Sequence, residues 1–310
     1  MLLTITLNPS IDRRYSVNGF EKGKIFRTDG FQYTPGGKGI NVAKVIKAFD
    51  EPVVATGFLG GRAGSFIKEK LDEMNITSEF ISIKGETRSC IAILSDDGSQ
   101  TEILEPGPLI LQEDMEKFLY LYENLIKDAD VICASGSLPR GLGVATYKVL
   151  IELANKQRKK FILDTSREAL KQGIESKPYL IKPNKEELES LLGISICSEN
   201  DIIKAAKYLI NKGISIVAIS LGKEGSLVVI DNYMYRVKTP KIDAVNPVGS
   251  GDSMIAGFAV SIKRNYDFEY MLRLAAACGT ANAMEEETGK VDINKVNKLM
   301  NKITVEKVKL

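Results

Sequence analysis

Residues 179–222, YLIKPNKEELESLLGISICSENDIIKAAKYLINKGISIVAISLG, decide the fold class of this 310-residue chain. Two short apolar runs, YLIKPN at 179–184 and IVAISLG at 216–222, have the length and composition of buried strands. Between them, residues 185–192 and 200–211 carry apolar side chains at the spacing of amphipathic helices. A strand, then helices, then a second strand is the pattern of a mostly parallel sheet whose strands are connected through helices.

The alternation of strand and helix patterns continues through most of the chain. Further short apolar runs predict strands at 2–7, 53–59, 131–136 and 161–166. Amphipathic spacing predicts helices at 40–49, 65–74, 111–126 and 147–156. We therefore expect an α/β fold in which helices cover both faces of one mostly parallel sheet. Ligand sites in such folds lie at the carboxyl ends of the strands.

Two regions, 10–33 and 84–103, break this alternation. The first contains the strand-like runs DRRYSV and GFQYT, and the second contains RSCIAIL and QTEIL around an Asp-Asp-Gly turn. We expect hairpins outside the main sheet, which would form either a lid over the strand ends or an inert decoration. The prediction is one domain, 1–310, with a lid formed by about 10–34 and 84–105.

The chain has no histidine, and this limits the catalytic mechanisms that it can use. This excludes Ser-His-Asp triads, Cys-His dyads and histidine-ligated zinc, and carboxylates then suit phosphoryl transfer, where the base mainly orients a hydroxyl. A formal charge of +2 lacks the basic excess typical of nucleic-acid binding. No apolar run is long enough for a signal segment or a membrane span. We expect small-molecule partners and a cytoplasmic location, with no nucleic-acid or membrane partner.

The segment NPVGSGD, residues 246–252, is the first candidate for chemistry. Two glycines run into the apolar pattern MIAGFAVSI, which predicts a buried helix whose first N–H groups are free to bind an anion. Asp252 would lie at this helix start, either as an ordinary N-terminal capping residue or as a catalytic base. Because Met254 stands where a third glycine would be needed, the segment is not a dinucleotide-binding fingerprint.

A second glycine-rich segment, TPGGKGIN at 34–41, also precedes a predicted helix. It is not a P-loop, because Gln32 replaces the first glycine of that motif and Gly39 replaces its Ser or Thr. Lys38 would either be a solvated lysine in a tight turn or meet a phosphate in a pocket that the glycines leave open. Both interpretations stay open on this pattern.

Polar clusters follow three other predicted strands, at 135–139, 164–167 and 182–184. Each lies where this fold class places ligands. Asn184 and Glu187, three residues apart at a helix start, could hold hydrated magnesium or form a capping box, which is the commoner arrangement. The glycine turn at 221–226, taken alone, predicts a hairpin.

Six motifs occur in the order found in the ribokinase-like carbohydrate kinases, and the chain resembles that family over nearly its whole length. The motifs are TLNPSID at 6–12, GGKGIN at 36–41, GSLP at 136–139, KPNKEE at 182–187, SLGKEG at 220–225 and NPVGSGD at 246–252. The first two are similar to the phosphofructokinase B branch, which includes 1-phosphofructokinases and tagatose-6-phosphate kinases. Residues 84–94 resemble the tagatose-6-phosphate kinases, whereas 163–170 resemble the 1-phosphofructokinases.

The resemblance implies a ribokinase-like three-layer α/β/α fold with a small β-sheet lid, and ATP and Mg²⁺ as cofactors. It implies that Asp252 is the catalytic base and that the backbone N–H groups of Gly249, Ser250 and Gly251 stabilise the moving phosphoryl group. Asn184 and Glu187 would organise Mg²⁺ through water. The implied nucleotide-site residues are Asn184, Lys185, Ser220, Gly222, Gly225 and Asn282. The implied sugar-phosphate residues are Asp12, Gly37, Lys38, Asn41, Arg88 and Ser137.

Lys38 and Arg88 would supply cations that an unphosphorylated sugar does not need. We therefore expect a second phosphorylation that gives a bisphosphate. The resemblance implies a ketohexose phosphate as the acceptor, with tagatose 6-phosphate first and fructose 1-phosphate as the alternative. Three rival hypotheses are a kinase for a free sugar or nucleoside, a non-catalytic sugar-phosphate sensor and a nicotinamide-dependent oxidoreductase. The exposed edges of a lid sheet also make a homodimer through the lid an expectation.

Overall fold

The structure, a computed structural model, describes all residues 1–310 as fourteen strands and ten α-helices. The strands are β1 (Leu2–Thr6), β2 (Ser10–Val17), β3 (Phe31–Gly36), β4 (Val53–Gly60), β5 (Thr77–Ile83), β6 (Arg88–Ser95), β7 (Gln100–Leu104), β8 (Val131–Ser135), β9 (Lys160–Asp164), β10 (Leu180–Ile181), β11 (Ile216–Ser220), β12 (Ser226–Ile230), β13 (Tyr233–Lys238) and β14 (Thr304–Lys309). The helices are α1 (Lys38–Ala48), α2 (Gly61–Glu73), α3 (Gln112–Asp128), α4 (Thr146–Lys156), α5 (Arg167–Ile174), α6 (Lys185–Leu192), α7 (Glu199–Asn211), α8 (Ser250–Lys263), α9 (Phe268–Ala283) and α10 (Ile293–Met300).

Ten strands form the main sheet, in the order β14-β13-β12-β11-β10-β9-β8-β1-β4-β5. The seven strands from β11 to β5 run parallel, and β12, β13 and β14 add an antiparallel edge. The parallel strands inside the sheet are buried on both faces, as their continuous apolar runs require, whereas the edge strand β5 is largely exposed. Their carboxyl ends therefore meet along one edge of the sheet, where the polar residues that follow them converge.

Alternate residues of each parallel strand enter one of two separate hydrophobic cores. Leu2, Val131 and Ile162 pack on the face covered by α1, α2, α8, α9 and α10. Leu3 and Ile132, one residue further along, pack on the face covered by α3 to α7. This division follows from the two-residue period of side chains in a strand. The predicted three-layer α/β/α architecture is confirmed.

The two irregular regions form a second sheet, in the order β3-β2-β6-β7. Its β2 and β6 are parallel, so the two predicted hairpins join into one sheet. Asp12, Thr34 and Cys90 are in register and lie on one face, whereas their neighbours Arg13, Tyr33 and Ile91 lie on the other. The first face looks onto a cavity at the strand ends of the main sheet.

The predicted strands correspond to β1, β4, β8, β9, β10 and β11, and the predicted helices correspond to α1–α4, α6, α7 and α8. The hairpin predicted at 221–226 is the antiparallel connection from β11 to β12. Four strands of the main sheet, β5, β12, β13 and β14, and three helices, α5, α9 and α10, were not predicted. None of the helices is long and apolar enough to cross a membrane.

Candidate active site

A cavity of about 430 Å³ lies between the strand ends of the main sheet and the small sheet. Eleven of the residues expected to form the site line it: Asp12, Gly37, Lys38, Asn41, Arg88, Asn184, Glu187, Ser220, Gly249, Gly251 and Asp252. They come from six different elements and their flanking turns, so that only the folded chain brings them together. Polar and charged residues dominate this lining, which suits a highly charged ligand.

Asp252 is buried in the first turn of α8, with 5% of its surface exposed. The side-chain amide of Asn41, on α1, donates to its Oδ2 at 2.9 Å. Burial raises the pKa of Asp252 to about 6, although the nearby Lys38 ammonium and the Asn41 hydrogen bond both oppose the rise. A carboxylate with such a pKa is ionised at neutral pH and is a stronger base than an exposed aspartate.

The turn before Asp252 leaves several backbone N–H groups free. Gly249 adopts φ +81°, and a Cβ atom there would lie 2.5 Å from the Thr288 methyl group, so glycine is required on both counts. The N–H groups of Gly249, Gly251 and Asp252 have no acceptor within the chain, whereas Ser250 N–H donates to the Pro247 carbonyl at 3.2 Å. Three N–H groups at a helix start form an anion-binding site.

Beneath this turn, the buried Asp164 and Lys182 form a charge cluster with the partly exposed Lys38. Oδ2 of Asp164 lies 3.3 Å from Lys38 Nζ, and Oδ1 lies 3.4 Å from Lys182 Nζ. Burial alone would raise the pKa of Asp164, but the two ammonium groups outweigh it and lower that pKa. The Asp164 carboxylate in turn raises the pKa of Lys38, so the lysine stays charged. A Cβ atom on Gly251 would lie 3.1 Å from Lys182 Nζ, which places this cation directly under the anion-binding turn.

Arg88 and Asp12 face the cavity from the small sheet. The Arg88 guanidinium donates to the carbonyl of Asn8, at 3.0 and 3.2 Å, and to the carbonyl of Glu105 at 3.0 Å. Two of its five N–H groups therefore remain for a ligand. Burial raises the pKa of Asp12, against the effect of a 2.7 Å hydrogen bond from the Ser10 hydroxyl. The small sheet thus brings both a cation and a carboxylate to the cavity.

Asn184 and Glu187 form the capping box of α6 and also line the cavity. Asn184 Oδ1 accepts from Glu187 N–H at 2.7 Å, and Glu187 Oε2 accepts from Asn184 N–H at 2.9 Å. The second carboxylate oxygen of Glu187 is left free for a ligand. No group of three or more Asp, Glu, Cys or His residues converges anywhere in the chain. A magnesium ion here would fit as Mg²⁺ usually binds with phosphates, through one carboxylate, water and the phosphate oxygens.

The remaining expected residues do not line the cavity. Lys185 is half-buried at the start of α6, Gly222 is exposed, and Ser137 is exposed and accepts a hydrogen bond from Asn8. Gly225 is closely approached by the carbonyl oxygen of Val237 on the neighbouring strand, which excludes any side chain. Asn282 is completely buried and is bonded to three segments of the chain. The Ser250 hydroxyl is buried without a hydrogen-bond partner.

Seven charged residues of the cavity were not among the expected site residues: Arg13, Arg14, Glu102, Asp164, Lys182, Glu286 and Glu287. Asp164 and Lys182 belong to the polar clusters that follow predicted strands, so their position was a usable signal. Their pairing depends on β9 and β10 being neighbours, which the sequence pattern does not state. Arg14 shares a face of β2 with Asp12, and the two-residue strand period could have indicated it.

The chain is similar to known carbohydrate kinases over nearly its whole length. The model of the pfkB family of carbohydrate kinases matches residues 5–294. A tagatose-6-phosphate kinase from Staphylococcus epidermidis is 42% identical over 308 residues, covering 98% of this chain and 99% of that protein. A Thermotoga maritima structure described as a possible 1-phosphofructokinase has a TM-score of 0.92 and 29% identity, with full coverage of both chains. Phosphofructokinase-2 from Escherichia coli, solved with fructose-6-phosphate, has a TM-score of 0.89 and 27% identity, covering 97% of this chain and 98% of that one.

Proposed function

The chain belongs to the pfkB family of carbohydrate kinases and is an ATP-dependent sugar kinase, and we propose that it phosphorylates tagatose 6-phosphate to the bisphosphate. The observation that carries this proposal is the 42% identity to a tagatose-6-phosphate kinase over 98% of the chain. The cavity supports it, because Arg88, Arg14 and Lys38 supply the cations that a phosphorylated sugar requires.

In the proposed mechanism, Asp252 orients the acceptor hydroxyl and takes its proton. The hydroxyl oxygen then bonds to the γ-phosphorus of ATP while the bond from that phosphorus to the departing ADP oxygen breaks. The free N–H groups of Gly249, Gly251 and Asp252 receive the charge on the transferred group, and Lys182 adds a cation beneath them. Ser250 contributes through its place in the turn, since its own N–H bonds to Pro247.

The two remaining groups of residues have supporting roles. Arg88 and Asp12 hold the sugar phosphate from the small sheet, and Gly37, Lys38 and Asn41 hold it from the start of α1. Ser137, expected at the same site, lies outside the cavity lining. Glu187 and Asn184 would hold magnesium through water, and the ion would supply positive charge to the nucleotide phosphates. The expected nucleotide contacts are made by Lys185, Ser220, Gly222 and Gly225, which lie at the ends of β10 and β11.

Fructose 1-phosphate is the second candidate substrate. Two observations favour it: the T. maritima structure matches this chain with a TM-score of 0.92, and residues 163–170 resemble the 1-phosphofructokinases. These residues include Asp164, which lines the cavity. Both candidates are ketohexose phosphates, and the same catalytic residues serve either.

The substrate proposal is tested by measuring kcat/KM for tagatose 6-phosphate, fructose 1-phosphate and fructose 6-phosphate under identical conditions. We expect tagatose 6-phosphate to have the highest value and free tagatose to have a far lower one. A higher value for fructose 1-phosphate would establish the second candidate instead. In the same assay, Asp252→Asn should lose most of kcat while the affinity for ATP changes little, and a near-normal kcat would contradict the assignment of the base.

We further propose that the small sheet, made by residues of about 10–34 and 84–105 in a single domain, acts as a lid. Its outer face carries Tyr15, Ile91 and Ile93 together with the exposed Phe31 and Ile103. An apolar sheet face of this kind fits against a second copy of the chain. The dimer is tested by sedimentation velocity, where Ile103→Asp should shift the protein toward the monomer.

Because ATP and sugar phosphates are intracellular metabolites, we place the enzyme in the cytoplasm.

A further inference from the structure

Asn282 was expected at the nucleotide site, but its side chain is fully buried on α9. Its Oδ1 accepts from Ser253 Oγ at 3.1 Å and from Gly289 N–H at 2.8 Å. Its Nδ2 donates to the carbonyl oxygen of Val248 at 2.8 Å. One side chain therefore connects α8, the segment after α9 and the turn that precedes Gly249.

The bond to Val248 sets the direction of an N–H group in the anion-binding turn. The Val248 carbonyl and the Gly249 N–H belong to the same peptide plane, and in a trans peptide they point in opposite directions. No peptide bond of the chain is cis. Because Asn282 holds the carbonyl on the buried side, the Gly249 N–H is directed away from it, and Gly249 lines the cavity.

A second asparagine, Asn246, binds the backbone N–H of Val248. Asn246 Oδ1 accepts from the Val248 N–H at 3.0 Å, and Asn246 Nδ2 donates to the Glu286 carbonyl at 3.0 Å. By the same peptide geometry, the carbonyl of Pro247 points away from Asn246, and it accepts the Ser250 N–H. This bond closes the turn and leaves the N–H groups on either side of Ser250 free.

We propose that Asn282 and Asn246 are positioning residues that hold Val248 between them and so aim the N–H groups of the anion-binding turn at the transferred phosphoryl group. This role rests on the proposed phosphoryl transfer in this cavity. This positioning role does not require either asparagine to contact the nucleotide. The pair acts on the transition state, where the N–H groups meet developing charge, and not on the binding of ADP.

The test compares Asn282→Asp with Ser253→Ala and the wild-type enzyme. The aspartate keeps the size of the side chain and both of its accepted bonds, but an ionised carboxylate has no donor for the Val248 carbonyl. Ser253→Ala removes another partner of Asn282 at the same buried place and leaves the bond to Val248 intact. All variants are assayed with the sugar phosphate for which the wild type has the highest kcat/KM. An error in the substrate assignment is then detected with the wild type and does not affect the comparison between variants.

We expect Asn282→Asp to lower kcat about 100-fold at pH 8, as the loss of one oxyanion donor does, while the Kd for ADP changes less than about threefold. Ser253→Ala should keep kcat within about threefold of the wild type. The ratio of Asn282→Asp to wild-type kcat should rise as the pH falls, because a protonated carboxyl regains a donor for Val248. Thermal melts at each pH show that the protein assayed is folded.

Two outcomes would overturn the proposal. One is a folded Asn282→Asp enzyme with near wild-type kcat, and the other is a loss of ADP affinity that parallels the loss of kcat, which would make Asn282 a nucleotide-site residue. If Asn282→Asp does not fold, the test uses Asn246→Ala, since Asn246 is the second positioning residue and lines the cavity. It should lower kcat at least tenfold with unchanged ADP affinity, and an unchanged kcat would refute the positioning role.

Discussion

Replacing Asp252 by asparagine should make the folded protein more stable while removing its activity. The carboxylate is buried and its pKa is raised to about 6 from a usual 3.8. A raised carboxyl pKa means that the folded state prefers the protonated, neutral form, so ionisation above pH 6 destabilises the fold. A shift of about two pH units corresponds to about 3 kcal/mol at neutral pH and above. Asparagine resembles the neutral form and avoids this cost.

The stability difference between Asp252→Asn and the wild type should depend on pH. Above pH 6 the wild type bears the full cost, so Asp252→Asn should be more stable by up to about 3 kcal/mol at pH 7.5. At pH 5 Asp252 is largely protonated in the folded wild type, and the extra stability of Asp252→Asn should fall to about half. Below about pH 4 it should disappear, since Asp252 is then protonated in both states.

The assay is equilibrium denaturation in urea at pH 7.5, 5 and 4, with Asp29→Asn as the control because it removes the same charge from an exposed position. The chain has no histidine, so no imidazole titration overlaps this pH range. An Asp252→Asn protein that is less stable than the wild type at pH 7.5, or equally altered at all three pH values, would refute the reasoning.

Three further outcomes are expected. The kcat/KM of the wild type should fall about tenfold per pH unit below about pH 6, because the base must be ionised; a flat profile from pH 7 to pH 5 would exclude Asp252 as that base. Lys38→Met should move this acid limb to higher pH, since Lys38 is the main influence that lowers the pKa of Asp252, and an unmoved limb would show that the two groups are not coupled. Asp164→Asn should lower the free energy of unfolding by about 3 kcal/mol in urea titrations, because it leaves the buried Lys182 without its counter-ion, and a loss below about 1 kcal/mol would show that water or the Asp252 carboxylate compensates.

The parallel part of the fold could be predicted because its strands are short apolar runs between amphipathic helices. The helix α9 could not, since it is buried along most of its length and lacks the polar stripe that marks an amphipathic helix. The edge strands β5 and β14 were missed because their side chains are largely exposed and carry no continuous apolar run. The helix α5 was missed although Ser166 stands at its N-cap position, because its eight residues contain too few apolar positions to show a helical period.

At the site, residues within one motif could be located from the sequence, whereas pairings between motifs could not. The glycines and Asp252 were found together because they are adjacent in the chain and precede an apolar helix. The bond from Asn41 to Asp252 joins residues 211 positions apart, and it depends on how α1 and α8 pack. The direction of Asn282 likewise depends on the rotation of α9 about its axis, which a buried helix does not encode in a polar stripe.

The division of the cavity between two sheets has a consequence for how such enzymes diverge. The base and the anion-binding turn belong to the main α/β body, whereas Asp12 and Arg88 belong to a four-stranded sheet that pairs with no strand of that body. Substitutions on the inner face of β2, β6 and β7 can therefore alter which sugar is accepted without disturbing the groups that transfer the phosphoryl. With the roles proposed for these residues, sugar choice and chemistry can be inherited separately, and we expect exchange of the small sheet between relatives to change the acceptor sugar.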